Sequence, residues 1–590
     1  MTDFVHLHCH SEYSLLDGMS TPEEIAKITS TNGQVAAAIT DHGTMGGVLK
    51  FQDACLANNV KPLFGVEAYF VPSIESDSED KSERFHLILL AKNNEGLKKL
   101  FKMNQKAWGS NFYYKPRIDF SLLEELVDND VISLSGCMGS AISKAIDIGD
   151  MDRAAQLSER FIKIFKDDFY FEIQSWNPKH INDGLIQLAD TYNRPVLATA
   201  DCHFPSRKDK GCEEVLLMLS QYPSLSAADQ RHAKDHADCL HNPSLDMVAK
   251  INNMYPNRHL RFDDINPYVA GADEVASWFK DAGYDRIDIL ENTMEVAEKC
   301  TARMEKRKNL LPKYMKSMNS DDYLAEITKF RLQELGINDE VYVKRLDEEL
   351  GIIKQLGFAD YFLIVWDLVK WADNNGIGRG TGRGSVGGSV MAFLLDITQV
   401  DPIKYNLLFA RFINPERNDY PDIDLDFEDK RRDEVKTYLA TRWGKDNVAA
   451  ISIYGTFKSK SAVKDVARVL QVPFAEINTI TPFFESIEEF RSRILCKNVH
   501  LVFGNHDHHI RRNKGDIQRI FSSCQDYLHL DIRKPEGKEV MKYSMVCMHY
   551  PIASWNGMND GVIHLHGHVH LPQQLRLHEG KAMDVGVDGN

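Results

Sequence analysis

The sequence predicts an α/β protein of several domains, and three observations carry that expectation. The chain has 590 residues, room for several domains at about 100–200 residues each. Residues 1 to about 205 alternate short apolar runs with amphipathic helical patterns, as parallel strands joined by crossover helices do, in an open sheet or a closed barrel. Beyond about residue 205 the pattern turns mostly helical, and near residues 376 and 482 its character changes again.

Strands are expected at 4–7, 35–40, 61–64, 85–91, 131–134, 169–174 and 196–200. Between them lie amphipathic stretches such as 21–32, which opens with a capping box from Thr21 to Glu24 and has Pro22 at the first helical position. The polar stretch 73–84 reads as a loop. A long amphipathic run over 341–374 leads into a glycine-rich loop at 376–388, then a short acidic strand at 421–427 and a basic helical stretch to about 480. Eleven of the 22 histidines fall in residues 491–590. The sequence holds no internal repeat and no low-complexity tract.

A hydrophobic share of 43% with 26% charged residues is ordinary for a soluble globular chain. No stretch approaches the roughly 18 apolar residues of a membrane span, and MTDFVHLHCH has neither the basic nor the apolar region of an export signal. The ten cysteines form no CxxC pair, which points to reduced thiols in a cytoplasm rather than a disulfide framework. A net charge of −16 excludes a protein basic all over, but DNA binding depends on local patches. Lys458, Lys460, Lys464 and Arg468, against only Asp465, form one such patch.

His8 and His10 stand two residues apart at a strand end, so both side chains point the same way. Asp17, His42, Glu67, His86, Cys137, Asp201 and His203 fall at or near the ends of successive strands. In parallel α/β barrels, active sites collect at the C-terminal strand ends. One strand-end histidine is commonly a core residue, and Cys137 alone reads as core. Nine donors placed in step read as a metal site, and imidazoles, carboxylates and one thiolate suit zinc, manganese or iron.

This region, 1–280, resembles the PHP domain of C-family DNA polymerases (the polymerase III alpha subunits), and all nine residues match that family's ligand pattern. The resemblance implies a distorted (β/α)7 barrel, a trinuclear centre and 3′–5′ exonuclease activity on DNA. Clustered metals would activate water and stabilise the departing oxyanion of a phosphodiester.

GRGTGRGSVGGS at 378–389 exposes backbone N–H groups which, with Arg383, Ser385 and Ser389, suit a triphosphate. PDIDLDF puts Asp422, Asp424 and Asp426 on one face of a strand, which favours cations there. With GFADYFLIVWDLV and YGTFKSKSAVKDVARVL, these segments resemble the palm (281–453, nucleotidyltransferase-like, α+β) and early thumb (454–482) of the same family. The resemblance makes Asp422 and Asp424 catalytic carboxylates for magnesium. It places Arg383, Gly384, Ser385 and Ser389 at the phosphates of an incoming dNTP. Thr381 stands where the family usually has proline. The family's third catalytic aspartate lies in a segment resembling VKFDFLG, and these 590 residues contain none. Polymerisation is therefore expected to need a second chain carrying the missing segments.

Past Pro482, FGNHDH, MHYP and HLHGHVH follow apolar runs. Residues 483–590 resemble the second half of a calcineurin-like metallophosphoesterase, an α/β sandwich. By that resemblance Asn505, His549, His568 and His570 are metal ligands, and His506, held by Asp507, protonates the leaving group. That family's DxH and GD segments are missing: no aspartate lies between Asp465 and Asp507. Three functions follow as expectations: metal-dependent hydrolysis of DNA, either primer–template or single strand; DNA-templated synthesis completed by another chain; or a non-catalytic DNA-binding or inert fusion.

Overall fold

The computed structural model describes residues 3–75, 83–305, 312–315, 317–414, 421–449 and 453–483, with the backbone of six strands between His500 and Asp584. Two compact units emerge, Met1–Met304 with Gly455–Asn590, and Glu305–Tyr454.

The first unit is built on an eight-stranded sheet. Its strands are β1 (Ala36–Ile39), β2 (Lys61–Phe70), β3 (Phe85–Ala91), β4 (Phe112–Tyr113), β5 (Lys115–Ile118), β6 (Val131–Leu134), β7 (Phe169–Gln174) and β8 (Val196–Thr199). They run in the order β4-β5-β2-β3-β6-β7-β8, with β1 also on β2. Alternate residues bury opposite faces. Leu87 and Leu89 join a core with Phe64, Phe70, Phe161 and Phe169, while Ile88 and Leu90 join one with Val5, Leu7, Ile132 and Leu134. Burial on both faces is why these strands read as continuous apolar runs.

Two expectations change here. Strand β3 is antiparallel to both β2 and β6, whereas β1–β2 and β6–β7–β8 are parallel. The β2–β3 connection has no helix among the described residues, and a direct return gives an antiparallel neighbour. The stretch 4–7 is no full strand. It is tied by isolated bridges, His6 to Ala37 and Cys9 to Cys202, with His10 N donating to Cys202 O at 2.7 Å. Those bridges link it to β1 on one side and to the segment after β8 on the other, giving a curled half-barrel.

The helix Pro22–Thr31 has the expected box: Glu24 N donates to Thr21 Oγ1 at 3.1 Å, and Thr21 N donates to Glu24 Oε2 at 3.0 Å. After β8, the helices Lys210–Gln221 and Met247–Met254 pack with Ser459–Val469, burying Met218, Met254, Tyr255 and Val469.

The second unit is helical around Leu324, Leu346, Ile353, Phe362, Leu363 and Met391. The run 341–374 is two helices, Glu340–Leu356 and Ala359–Asn374. Gly357 ends the first in the left-handed region, φ 71°. The acidic stretch 421–427 is extended but makes only isolated bridges, Arg383 to Asp424 and Arg379 to Phe427. Its partner is the glycine-rich loop, with Gly380 N donating to Asp426 O at 2.9 Å.

In the tail, His500–Val502 pairs in parallel with Ser523–Gln525. Tyr527–Glu536, Glu539–Met548, Ile563–His566 and Ala582–Asp584 form a separate four-stranded sheet. Asn505, His506, Asp507, His549, His568 and His570 lie outside the described residues. No helix among the described residues is long and apolar enough to cross a membrane.

Candidate metal centre

Seven segments of the curled sheet's rim supply the nine predicted donors. His8 and His10 come from the first segment, Asp17 from the loop after it, His42 from just beyond β1, and Glu67 from within β2. Cys137 follows β6, and Asp201 and His203 follow β8. His86 stands at the start of β3, and because that strand runs antiparallel its start meets the ends of its neighbours. Asp201 takes φ 42°, a left-handed conformation costly for any residue with a Cβ.

The donors converge on Glu67. Its Oε2 lies 2.8 Å from His42 Nδ1, 3.1 Å from His10 Nε2 and 3.4 Å from His8 Nε2. Its Oε1 lies 2.9 Å from His86 Nδ1 and 3.5 Å from Cys137 Sγ. Asp201 Oδ1 is 3.0 Å from His8 Nε2 and 3.2 Å from His10 Nε2. Asp17 Oδ2 is 2.7 Å from His42 Nε2 and 3.4 Å from His203 Nε2. Three sets, His8–His10–Asp201, His10–His42–His203 and His42–Glu67–His86, each hold their donor atoms within 4.8 Å.

These contacts are close but are not hydrogen bonds throughout. Asp17 Oδ2, His42 Nδ1, Glu67 Oε2 and Asp201 Oδ1 are buried, and each lacks a hydrogen-bond partner. Buried polar atoms left so are costly, at about 1–3 kcal/mol each. Donor atoms crowded this closely, four of them unsatisfied, are what ligands of a common cation present. The donor set and these four atoms fit divalent metals.

Without a cation, the charges settle against one another. Burial opposes a charge on His8, but Asp201, Glu172 and Glu67 outweigh it and hold its pKa well above the usual value. Burial opposes His42 likewise, and Glu67 and Asp17 raise it. His203 is raised to about 9, again against burial, by Asp201 and Asp17. Burial works to raise the Asp17 and Glu67 carboxyls, yet the facing imidazoles hold both well below the ordinary carboxylate range. Burial, then Glu67, Asp201 and Glu172, push the Cys137 thiol up.

Two carboxylates that position candidate donors escaped the sequence reading. Glu172, fully buried on β7, faces His8 Nδ1 at 2.7 Å and accepts from Thr199 Oγ1 at 2.6 Å. Asp41 accepts from Ser11 N at 2.6 Å and Ser14 Oγ at 3.0 Å, and Ser14 Oγ lies 2.9 Å from His10 Nδ1. Both fix the nitrogen of a histidine that faces away from the centre, which sets the tautomer of the facing one. The signal was faint: a lone acidic residue inside FYFEIQ, and an aspartate just before His42.

In the second unit Asp422, Asp424 and Asp426 are exposed with alternating spacing, as read from the sequence. Arg383 grips Asp426 with two bonds, Nε to Oδ2 at 2.6 Å and Nη2 to Oδ1 at 3.0 Å. That guanidinium holds the Asp426 carboxyl below its usual value. Gly384, at φ 81°, and Ser385 are exposed. Ser389 is buried: its Oγ donates to Glu349 Oε2 at 2.8 Å and accepts from Ala392 N at 3.1 Å. Glu349 also accepts from Val390 N and Met391 N, both at 3.0 Å, while Arg345 ties Glu349 to Gly388 O and Leu407 O. This anchor of the glycine-rich loop was not visible in the sequence.

In the basic patch, Lys458 caps the helix Ser459–Val469, which carries Lys460, Lys464 and Arg468. Arg468 pairs with Asp465 at 2.9 Å and lies over the Tyr222 ring.

Comparison with known proteins matches residues 6–176 to the PHP domain and residues 321–530 to the bacterial DNA polymerase III alpha NTPase domain. The chain is 36% identical over 494 residues to DNA polymerase III subunit alpha of Aquifex aeolicus (strain VF5), covering 80% of this chain and 40% of that one. It is 34% identical over 489 residues to the subunit from Treponema pallidum (strain Nichols), covering 81% and 39%. With the Borreliella burgdorferi subunit the identity is 35% over 576 residues, covering 92% of this chain and 47% of that protein. The chain thus spans less than half the length of these relatives. The NTPase-domain match runs to residue 530, so the polymerase likeness continues past Pro482, where it was expected to stop.

Proposed function

Because this chain carries an N-terminal region of the DNA polymerase III alpha family, PHP domain and NTPase domain included, we propose that its metal centre hydrolyses DNA phosphodiesters from the 3′ end. The observation that carries this reading is the convergence of nine donors in which four buried atoms have no hydrogen-bond partner. His8, His10, Asp17, His42, Glu67, His86, Cys137, Asp201 and His203 would hold the zinc, manganese or iron of a trinuclear centre. Bound divalent ions supply Lewis acidity toward the phosphodiester and lower the pKa of water. The chain's own part is to keep the imidazoles in one tautomer through Glu172 and the Ser14–Asp41 pair. With the first segment counted as a strand, the curled sheet fits a distorted (β/α)7 barrel.

The second unit is the partial palm in this reading. Asp422 and Asp424 hold magnesium, and Arg383, Gly384 and Ser385 face the dNTP phosphates, with Ser389 shaping the loop from beneath. Asp426 is engaged by Arg383, which leaves Asp422 and Asp424 as the carboxylate pair. A second chain carrying a third carboxylate would complete the site for nucleotide incorporation. Lys458, Lys460, Lys464 and Arg468 contact DNA, and the protein works in the cytoplasm.

The test is a metal-dependent assay on a labelled primer–template, with and without dNTPs. Shortening without extension supports the proposal; extension by the chain alone refutes the incomplete palm. His8→Ala with His10→Ala abolishes shortening, and Asp422→Asn leaves it. Equal loss in both variants rules out the assignment to this centre. An inert fusion shows neither metal nor nuclease activity.

Past residue 530, where the NTPase-domain match ends, we retain the metallophosphoesterase reading on one observation. Strands Glu539–Met548 and Ile563–His566 end one and two residues before His549 and His568. Metal retained by the His8→Ala, His10→Ala protein and lost on adding His549→Ala would support it; a metal count unchanged by the last substitution would refute it.

A further inference from the structure

An aromatic and basic hairpin stands beside the metal centre, and neither the donor set nor the palm makes use of it. The strands β4 and β5 pair Phe112 with Pro116 and Tyr113 with Lys115, leaving Tyr114 alone at the tip. Tyr114 takes φ 57°, a left-handed conformation that is a genuine outlier for a bulky residue. Its ring is 76% exposed, and Trp108 and Phe112 beside it are 53% and 46% exposed. Trp108 and Phe112 stack at 5.5 Å and 20°, and Tyr113 meets Tyr114 edge to face at 4.7 Å. Cations lie among the rings: Arg117 sits 5.1 Å from the Tyr113 ring and Lys115 Nζ 5.2 Å from that of Tyr69. Neither makes an ion pair among the described residues.

The hairpin is joined to the metal centre. Trp108 Nε1 donates to Gly43 O at 2.7 Å, one residue past His42. Pro116 packs so close to Gly43 that a Cβ there would lie 2.7 Å from its Cγ. Tyr69, under Lys115, stacks on His42 at 5.7 Å and 17°. Exposed rings that a folded protein would otherwise bury, interleaved with cations that make no ion pair among the described residues, suit unstacked bases and a phosphate backbone. Strain kept at an exposed tyrosine points the same way, since such conformations cluster at ligand clamps.

We propose that the 108–117 hairpin is a stacking platform for single-stranded DNA, holding the unpaired bases next to the 3′ terminus while Lys115 and Arg117 neutralise its phosphates. The proposal rests on the phosphodiesterase reading above for the identity of its ligand. Duplex ends would have to fray before binding.

The test uses the full chain loaded with manganese and a fluorescein-labelled oligothymidylate whose phosphorothioate linkages resist hydrolysis. Fluorescence anisotropy should show the wild type preferring it to a duplex of equal length. Tyr114→Gly, which suits the left-handed backbone, should weaken binding about tenfold with no loss of thermal stability, and Tyr114→Phe should keep it. Lys115→Ala should lower the salt dependence by about one phosphate contact. Unchanged affinity in Tyr114→Gly, or equal binding of duplex, overturns the proposal and assigns the aromatic face to a protein partner instead. Wild-type hydrolysis of bis(p-nitrophenyl) phosphate, too small to reach the rings, tests the phosphodiesterase reading separately.

Discussion

Glu172 sits across His8 from the metal centre, and its carboxylate selects the nitrogen that His8 turns inward. Replacing such a partner typically lowers metal affinity 10–100-fold. Glu172→Gln should do so in a competition titration against a chromophoric chelator, and Glu172→Asp should recover part of the loss. The centre also has a pH signature. His203 has a folded pKa raised to about 9 against about 6.5 unfolded. In metal-stripped protein its contribution to stability is therefore full below about pH 6.5 and lost as the pH rises through about 9. The depressed Asp17 and Glu67 act oppositely, their contribution disappearing as the pH falls below the ordinary carboxylate range. The unfolding-temperature gap between metal-stripped wild type and His203→Asn should close between pH 6.5 and 9. The convergence of the nine candidate residues was legible because residues of ligand type stood at the ends of apolar runs. Glu172 and Asp41 were not, since their meaning depends on partners such as His8, 164 positions away from Glu172.

Secondary structure was legible where burial is two-sided. Strands β3, β6 and β7 run where the sequence placed them, because apolar residues on both faces leave no competing pattern. Direction was not written in the same code: β3 reverses after a connection with no helix among its described residues, and only pairing reveals it. The hairpin of β4 and β5 was missed because its strands are two and four residues long and its rings face solvent. The glycine-rich loop was found by composition, but its anchor was not. Glu349 is buried and receives Ser389 Oγ, Val390 N and Met391 N, and burial raises its pKa. Glu349→Ala strands those donors together with Arg345, and should cost the second unit about 3 kcal/mol. Denaturant unfolding followed by Trp fluorescence would measure it, with Ser389→Ala costing less because only the Oγ bonds to Glu349 and from Ala392 N are lost.

Seen as a whole molecule, the chain leaves its first unit and later returns to it. Residues from Gly455 onward belong with Met1–Met304, and the second unit is inserted between. Val469 is fully buried among Met218, Met254 and Tyr255, and Tyr255 Oη donates to Val469 O at 2.5 Å. Val469→Asp puts a charge into that cluster and should lower the unfolding temperature of the first unit, although it lies more than 260 residues from His203. Differential scanning calorimetry with metal release as the second readout would show it, and a shift confined to the second unit would contradict the packing. The same return sets an order of events on the ribosome. Between emergence of Met304 and of Val469, translation at about 5–20 residues per second leaves the Tyr255 cluster uncovered for roughly 10–30 s. The nascent chain must therefore carry an exposed apolar face through much of its own synthesis, the interval in which a chaperone that recognises such faces would engage it.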